Sequence, residues 1–319
     1  MPEVVCVGIL VADIVAKSVS QYPEKGRLVL VDTIELHTGG CASNTAVSLA
    51  KIGVDTAAVG KVGKDAFGDF VIDSLEKQGV NIKWIKRDDQ ALTSATQVFV
   101  HPDGERSFIH YIGANANFRE EDVDISVFEG SRIVHYAGYF VLSSMDGEPC
   151  ARLLRKAKEF GAFISLDTVW DSKGKWMSLL EPVLPHLDLI IPSIEEARMI
   201  TGKEKPREIA KVFLDKGVGM VVLKMGSKGS YVRTKSEEIY VPRYEVLAVD
   251  AVGAGDAFAA GFITGLLKGW DLEMTAKFAN AVGALCVTAI GATTGVRSLE
   301  ETLRFMESTP LAKESVDLG

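Results

Sequence analysis

Along this chain, stretches of helical periodicity stop at a glycine and a short β-prone run follows at once. The pairs Ile52-Gly53, Gln78-Gly79, Phe160-Gly161, Lys216-Gly217 and Lys268-Gly269 each put glycine where a left-handed helix C-cap is wanted. After the first four come VDTAAVG, VNIKWI, AFISLD and VGMVVLKMG, runs that read as strands. Before Gly79, the residues Phe67, Phe70, Val71 and Leu75 recur at helical spacing and give one apolar face to lay on a sheet. An apolar run over residues 4–12 opens the chain as a first strand that ends at Asp13. This alternation predicts an α/β fold, doubly wound, with three αβα layers around a mostly parallel sheet.

Two segments break the rhythm. Residues 27–36 read RLVLVDTIEL, and SATQVFV and RSFIHY flank the turn sequence Pro102-Asp103-Gly104-Glu105. They predict antiparallel strands outside the main sheet. The expected organisation is one α/β domain made of residues 1–12, 38–92 and 113–319, with residues 13–37 and 93–112 inserted as a small β-sheet lid. A β-prone run over residues 245–249 is expected to lead into the segment 249–267.

Composition narrows the function classes. With 319 residues, 47% hydrophobic and 24% charged, the chain has the make-up of a globular enzyme. A net charge of −8 supplies no attraction to nucleic acid or to an anionic membrane. Cys6, Cys41, Cys150 and Cys286 form no C-x-x-C pair, which argues against a disulfide framework and fits a reducing, cytoplasmic setting. Residues 278–296 carry no charge but hold polar residues and glycines, so they read as a buried Ala-rich helix followed by a loop.

The strongest chemical stretch is VDAVGAGDAFAAGFITGLL, residues 249–267. Gly253-Ala254-Gly255 turns the chain and leaves amides uncovered at a helix N-terminus, a cradle for an anion. Asp256 inside such a site suits a base that takes a proton from a hydroxyl attacking a phosphoryl group. A plain helix-capping role for Asp256 is the alternative. A P-loop, a G-x-G-x-x-G after the first strand, a serine elbow and H-E-x-x-H are all missing.

The same segment resembles the D-T-x-G-A-G-D-x-F signature of the ribokinase-like (PfkB) carbohydrate kinases. HTGGCASNTAVSLAKIG is similar to the G-G-x-x-x-N element of that family, and VGKDAFGDFV to its V-G-x-D-x-F-G element. YIGANANF, VVLKMGSKGS and FANAVGALCVTAIGA resemble further family stretches, in the family's order, across about residues 4–295. The resemblance implies an ATP- and magnesium-dependent sugar kinase. It makes Asp256 the catalytic base and Gly253, Ala254 and Gly255 the anion hole. Asp13, Gly39, Gly40 and Asn44 then bind substrate, while Lys224, Gly226, Gly229 and Asn280 hold nucleotide. Glu196 would hold magnesium through water. The helix end is expected to keep Asp256 ionised and so a weak base. A monovalent cation such as K+ would bind mostly to backbone carbonyls, on which sequence is silent.

Ser193 replaces an Asn in the motif that holds Glu196, and Ala251-Val252 replace hydroxyl residues after Asp250. Other departures bear on substrate: Val11 replaces the Asn before the sugar-binding Asp, Cys41 replaces the Lys of G-G-K, and HYAGYFVL lacks the ribose-binding Glu. Ribose therefore becomes a poor substrate. Phe108, His110 and Tyr111 on the lid are either ligand contacts or packing for a two-sided sheet. A nucleoside kinase, or a non-catalytic sugar or nucleotide sensor on the same fold, is the alternative reading. A homodimer through the lid is expected from its strand edges.

Overall fold

The computed structural model describes residues 1–101, 106–313 and 316–319. The chain opens with β1 (Val4–Gly8), β2 (Val11–Lys17), β3 (Thr33–Gly39), α1 (Cys41–Ile52), β4 (Thr56–Gly63), α2 (Ala66–Lys77) and β5 (Ile85–Asp88). Next come β6 (Ala95–Val100), β7 (Arg106–Tyr111), β8 (Ile133–Tyr139), α3 (Glu148–Glu159), β9 (Phe163–Thr168), α4 (Met177–Leu180) and β10 (Leu189–Ile190). Then follow α5 (Ile194–Thr201), α6 (Pro206–Asp215), β11 (Met220–Lys224), β12 (Ser230–Arg233) and β13 (Glu238–Val241). Three helices, α7 (Ala254–Lys268), α8 (Leu272–Cys286) and α9 (Leu299–Ser308), finish the chain.

Nine strands form one sheet in the order β13-β12-β11-β10-β9-β8-β1-β4-β5. Pairing is parallel from β11 to β5 and antiparallel only at β11–β12 and β12–β13. β1 shows why the sheet needs helices on both sides. Its Val5 and Val7 join a core with Leu153 of α3 and Phe213 of α6, while Val4 and Cys6 join a second core with Leu49 of α1 and Phe278 of α8. Successive side chains leave a strand on opposite faces, so a strand buried on both reads as a continuous apolar run. The three-layer, doubly wound α/β architecture is the predicted one. All five predicted cap glycines adopt positive φ, which explains why helices stop there. The uncharged stretch is also as expected, since α8 ends at Cys286 and turns follow.

A separate four-stranded sheet has the order β3-β2-β6-β7. β2–β3 and β6–β7 are antiparallel, and β2–β6 is parallel.

Several local expectations need correction. The apolar run at the N-terminus is two strands, because the chain leaves the large sheet at Gly8 and enters the small one at Val11. A Cβ on Gly8 would lie 2.1 Å from the Ala137 carbonyl oxygen, so only glycine fits where the strands part. Asp13 consequently lies inside β2 rather than ending the first strand. The strand expected at residues 27–36 runs instead from Thr33 to Gly39. In VNIKWI, Asn81 makes only an isolated bridge and β5 begins at Ile85. Residues 245–249 form no strand, and the β12–β13 hairpin was not foreseen. The turn at residues 102–105 lies outside the described residues.

Candidate active site

The N-terminus of α7 is the centre of the site. Gly253 caps it with φ 75°, and a Cβ there would sit 2.2 Å from the Ala292 carbonyl oxygen, so the turn demands glycine. One of the expected anion-hole amides is bent back, with Ala254 N donating to Ala251 O at 3.3 Å.

Asp256 does not cap the helix, since no side chain caps α7. Its Oδ2 instead accepts from Asn44 Nδ2 at 2.8 Å. Burial pushes the Asp256 carboxyl pKa up, against the opposing pull of Asn44 and Lys224. The helix end is expected to keep this carboxylate ionised, and burial acts in the opposite sense by favouring its protonated form.

Asn44 arrives from α1, whose N-cap is Gly40. Gly40 has φ 90°, and a Cβ there would meet the Ile9 carbonyl oxygen at 2.4 Å. Asn44 Oδ1 is buried with no hydrogen-bond partner among the described residues, an acceptor left for a ligand hydroxyl. Gly39 makes room for Asp13, whose Oδ2 would lie 2.0 Å from a Cβ at that position. Asp13 faces His37 across β3 and Thr96 across β6. Burial raises its pKa, while the Thr96 hydroxyl and His37 pull it back down. Asp13, Gly40, Asn44, Gly253 and Asp256 line one cavity of about 290 Å³.

A second cavity of about 390 Å³ lies on the other side of the turn, lined by Lys224, Gly226, Gly229 and Asn280 together with Ala254 and Gly255. Its remaining walls include Tyr244, Phe258 and Val287. Gly229 has φ 89°, and a Cβ on it would lie 2.1 Å from Val241 O. Asn280 Nδ2 donates to Val241 O and Pro242 O, both at 3.0 Å, so the amide secures the cavity wall.

Lys224 is partly buried, with Nζ 2.6 Å from both oxygens of the buried Asp167. Burial acts to lower its pKa, but Asp167, Glu196 and Asp256 raise it on balance, so the ammonium persists. Asp167 was missed in the sequence. The available signal was a carboxylate near the C-terminal end of the apolar strand β9, where open parallel sheets place their ligands.

Glu196 lines neither cavity. It completes a capping box with Ser193 at the start of α5, and its Oε2 also accepts from Thr168 Oγ1 at 2.9 Å. Serine at position 193 thus has a structural reason, since it is a strong N-cap. Among the described residues, no group of three or more His, Cys, Asp or Glu side chains could hold a metal ion.

A buried carboxylate in the first turn of a helix, between two cavities, suits an enzyme that moves an anionic group from one bound molecule to another. The family model of pfkB carbohydrate kinases matches residues 1–299, and the chain belongs to that family. An Arabidopsis thaliana protein assigned as fructokinase-5 is 30% identical over 85% of this chain and 88% of its own. The Thermotoga maritima ribokinase structure superposes with a TM-score of 0.83 at 26% identity, covering 97% of this chain and 100% of that one. An Escherichia coli protein assigned as ribokinase II, in complex with ATP and Mg2+, gives a TM-score of 0.84 at 26% identity, covering 96% and 99%. The protein is a sugar kinase. No helix among the described residues is long and apolar enough to cross a membrane.

The buried Lys224–Asp167 pair yields a stability prediction. Removing one partner strands a buried charge and costs about 3 kcal/mol or more. In Lys224→Met, Asp167 would hold its proton in the folded state and release it on unfolding, so stability falls as pH rises. Urea unfolding should show a deficit larger at pH 8 than at pH 5, with much of it recovered in Lys224→Met/Asp167→Asn. A deficit that does not change with pH would show that Asp167 does not depend on this lysine.

Proposed function

We propose that the protein transfers the γ-phosphoryl group of ATP to a primary hydroxyl of a sugar or sugar-like molecule. The observation that carries this reading is the position of residues 253–256 between the two cavities. Nucleotide occupies the cavity beside Lys224, Gly226, Gly229 and Asn280, and the acceptor occupies the one lined by Asp13, Gly40 and Asn44, with Gly39 packed against Asp13. The acceptor hydroxyl gives its proton to Asp256 as its oxygen bonds to phosphorus, and the bond to the leaving ADP oxygen breaks. The amides around Gly253, Ala254 and Gly255 stabilise the charge that develops, with Lys224 on the nucleotide side. The small sheet acts as a lid, with the α/β domain formed by residues 1–12, 38–92 and 113–319.

The donor set fits magnesium, which takes one or two carboxylates, substrate phosphates and several waters rather than a closed protein cage. Glu196 would hold it through water, because the bonds from Thr168 Oγ1 and Ser193 N both go to Oε2. Magnesium bound there supplies neutralising charge to the phosphates. Glu196→Gln should raise the magnesium concentration needed for half-maximal rate, and an unchanged magnesium titration would remove Glu196 from the site.

Val11 and Cys41 line the acceptor cavity where polar residues would favour ribose. An assay of ADP release over a hexose, a ketose, a sugar acid, a nucleoside and ribose should find at least one acceptor about tenfold better than ribose in kcat/KM. Likeness to a fructokinase supports the ketose. Asp256→Asn should cut turnover of that acceptor about 10² to 10⁴-fold while ATP binding persists. Ribose as the best acceptor would reject the specificity, and equal turnover in Asp256→Asn would reject the base. No turnover of any acceptor would favour the sensor reading.

The homodimer belongs to the same proposal. Ile34, Leu36, Ile109 and Tyr111 are exposed on the small sheet, and register sets them opposite the cavity-lining residues His37, Phe108 and His110. An apolar outer face and open strand edges favour a second copy. Sedimentation at micromolar concentration should give a dimer that Ile109→Lys weakens, and a monomeric parent would refute it.

A further inference from the structure

One wall of the second cavity, formed by Arg243, Tyr244 and Val246, lies past the end of β13 at Val241. Pro242 has no amide proton and the residues after it form no strand, so the hydrogen-bond ladder of the large sheet stops there. The wall is secured from elsewhere. Asn280 of α8 holds Val241 O and Pro242 O. The next two bonds come from residues that follow α9, where Ala312 N donates to Arg243 O at 2.8 Å and Pro310 O accepts from Glu245 N at 3.2 Å. Tyr244 and Leu311 therefore face each other in an isolated antiparallel bridge.

Side chains reinforce this bridge. Tyr244 is 3% exposed, and its ring lies 5.3 Å, centroid to centroid, from that of Phe305 on α9. Leu311 packs against the core that contains Phe258, which is itself a wall of the same cavity. Phe305, Leu311 and Ala312 line neither cavity, yet the wall leans on all three. They also lie beyond residue 299, where the family match stops, so the family motifs do not account for them.

We infer that Phe305, Leu311 and Ala312 are positioning residues for the nucleotide, holding Tyr244 and Val246 against the base of a bound nucleoside triphosphate without touching it. The inference rests on the proposed assignment of this cavity to ATP. Lys224 and the turn at Gly255 bring the charge and the amides that suit phosphates, whereas Tyr244, Val246 and Phe258 bring apolar surface that suits a flat base. Only the second group leans on the residues beyond 299. Loss of this support weakens the grip on the base and leaves the grip on the phosphates and on the acceptor as they were. Base contacts are made equally in the ground and transition states, so the loss falls on binding and KM rather than on kcat.

Calorimetric titration of the full chain with magnesium ATP and, separately, with magnesium tripolyphosphate, which has phosphates but no base, reads the two ends of the site. Leu311→Asp puts a charge into the apolar contact, and Ala312→Pro removes the donor to Arg243 O. Each should raise the ATP Kd about fivefold to tenfold, the scale of one lost hydrogen bond. The tripolyphosphate Kd, the acceptor KM and the ATP Kd of Leu311→Met should all stay within about twofold of the parent. Phe305→Leu, which keeps an apolar side chain on α9, should raise the ATP Kd about threefold through the lost ring contact, and it decides the matter if the harsher variants fail to fold by circular dichroism. The inference is overturned by an unchanged ATP Kd in a folded Leu311→Asp or in Phe305→Leu, or by equal losses for ATP and tripolyphosphate. A Leu311→Met variant as poor as Leu311→Asp, or a fall in kcat at saturating ATP, would overturn it too. A parent that binds neither titrant would refute the nucleotide reading of the cavity itself, and the inference would fall with it.

Discussion

A carboxylate buried at the start of α7 has to be held, and the bond from Asn44 Nδ2 to Asp256 Oδ2 at 2.8 Å holds it. The bond joins residues 212 positions apart in the chain. Asn44 can reach only because α1 starts abruptly at Gly40, where a side chain would strike Ile9. Asp256 can be reached only because Gly253 lets the turn pack against Ala292. Gly40 and Gly253 thus both serve a single polar contact in the interior. Burial makes the carboxyl a better proton acceptor, and the amide keeps it aimed.

The nine-stranded sheet determines where this contact can be. Parallel strands bring their C-terminal ends to one edge, and ligands of doubly wound folds bind there. Asp167 and Thr168 lie at the end of β9 and Lys224 at the end of β11, so the ion pair joins strand ends on either side of β10 rather than neighbours in sequence. Lys224 also lies within 3.2 Å of where a Cβ on Gly255 would be. A larger residue at 255 would press on the ammonium, which is a physical reason for the second glycine of the turn.

How much of this the sequence disclosed follows from how local each signal is. Helix stops were legible because Gly53, Gly79, Gly161, Gly217 and Gly269 supply positive φ whatever surrounds them. The turn at residues 253–256 was legible for the same reason. The split between β1 and β2 was not, since an unbroken apolar run carries no mark of the point where it changes sheets, and Gly8 was overlooked as that mark. β12 and β13 were hidden because short edge strands have few apolar positions to set a period. Asp167 escaped because its meaning depends on Lys224, 57 positions later, and the raised pKa of Asp256 escaped because burial is a property of the fold. Ser193 looked like a defect in a motif, yet its hydroxyl accepts from Glu196 N and caps α5.

Under the proposed function, the small sheet separates selection of the acceptor from the chemistry performed on it. On its inner face, Asp13, His37, Thr96 and His110 form one polar row, and the next row in register is Val15, Val98 and Phe108. A ligand meeting both rows must present hydroxyls along one edge and apolar surface beside it, as the two faces of a sugar do. The large domain contributes Asn44 and the turn at residues 253–256, which under the proposed function meet the reacting hydroxyl and the phosphoryl group. Because β2, β3, β6 and β7 come from two excursions out of the α/β rhythm, their inward side chains can change without disturbing Asp256, Asn44 or the parallel sheet. Val11 opens β2 and Cys41 opens α1, so the two departures that the proposed specificity rests on sit where the small sheet meets the large domain.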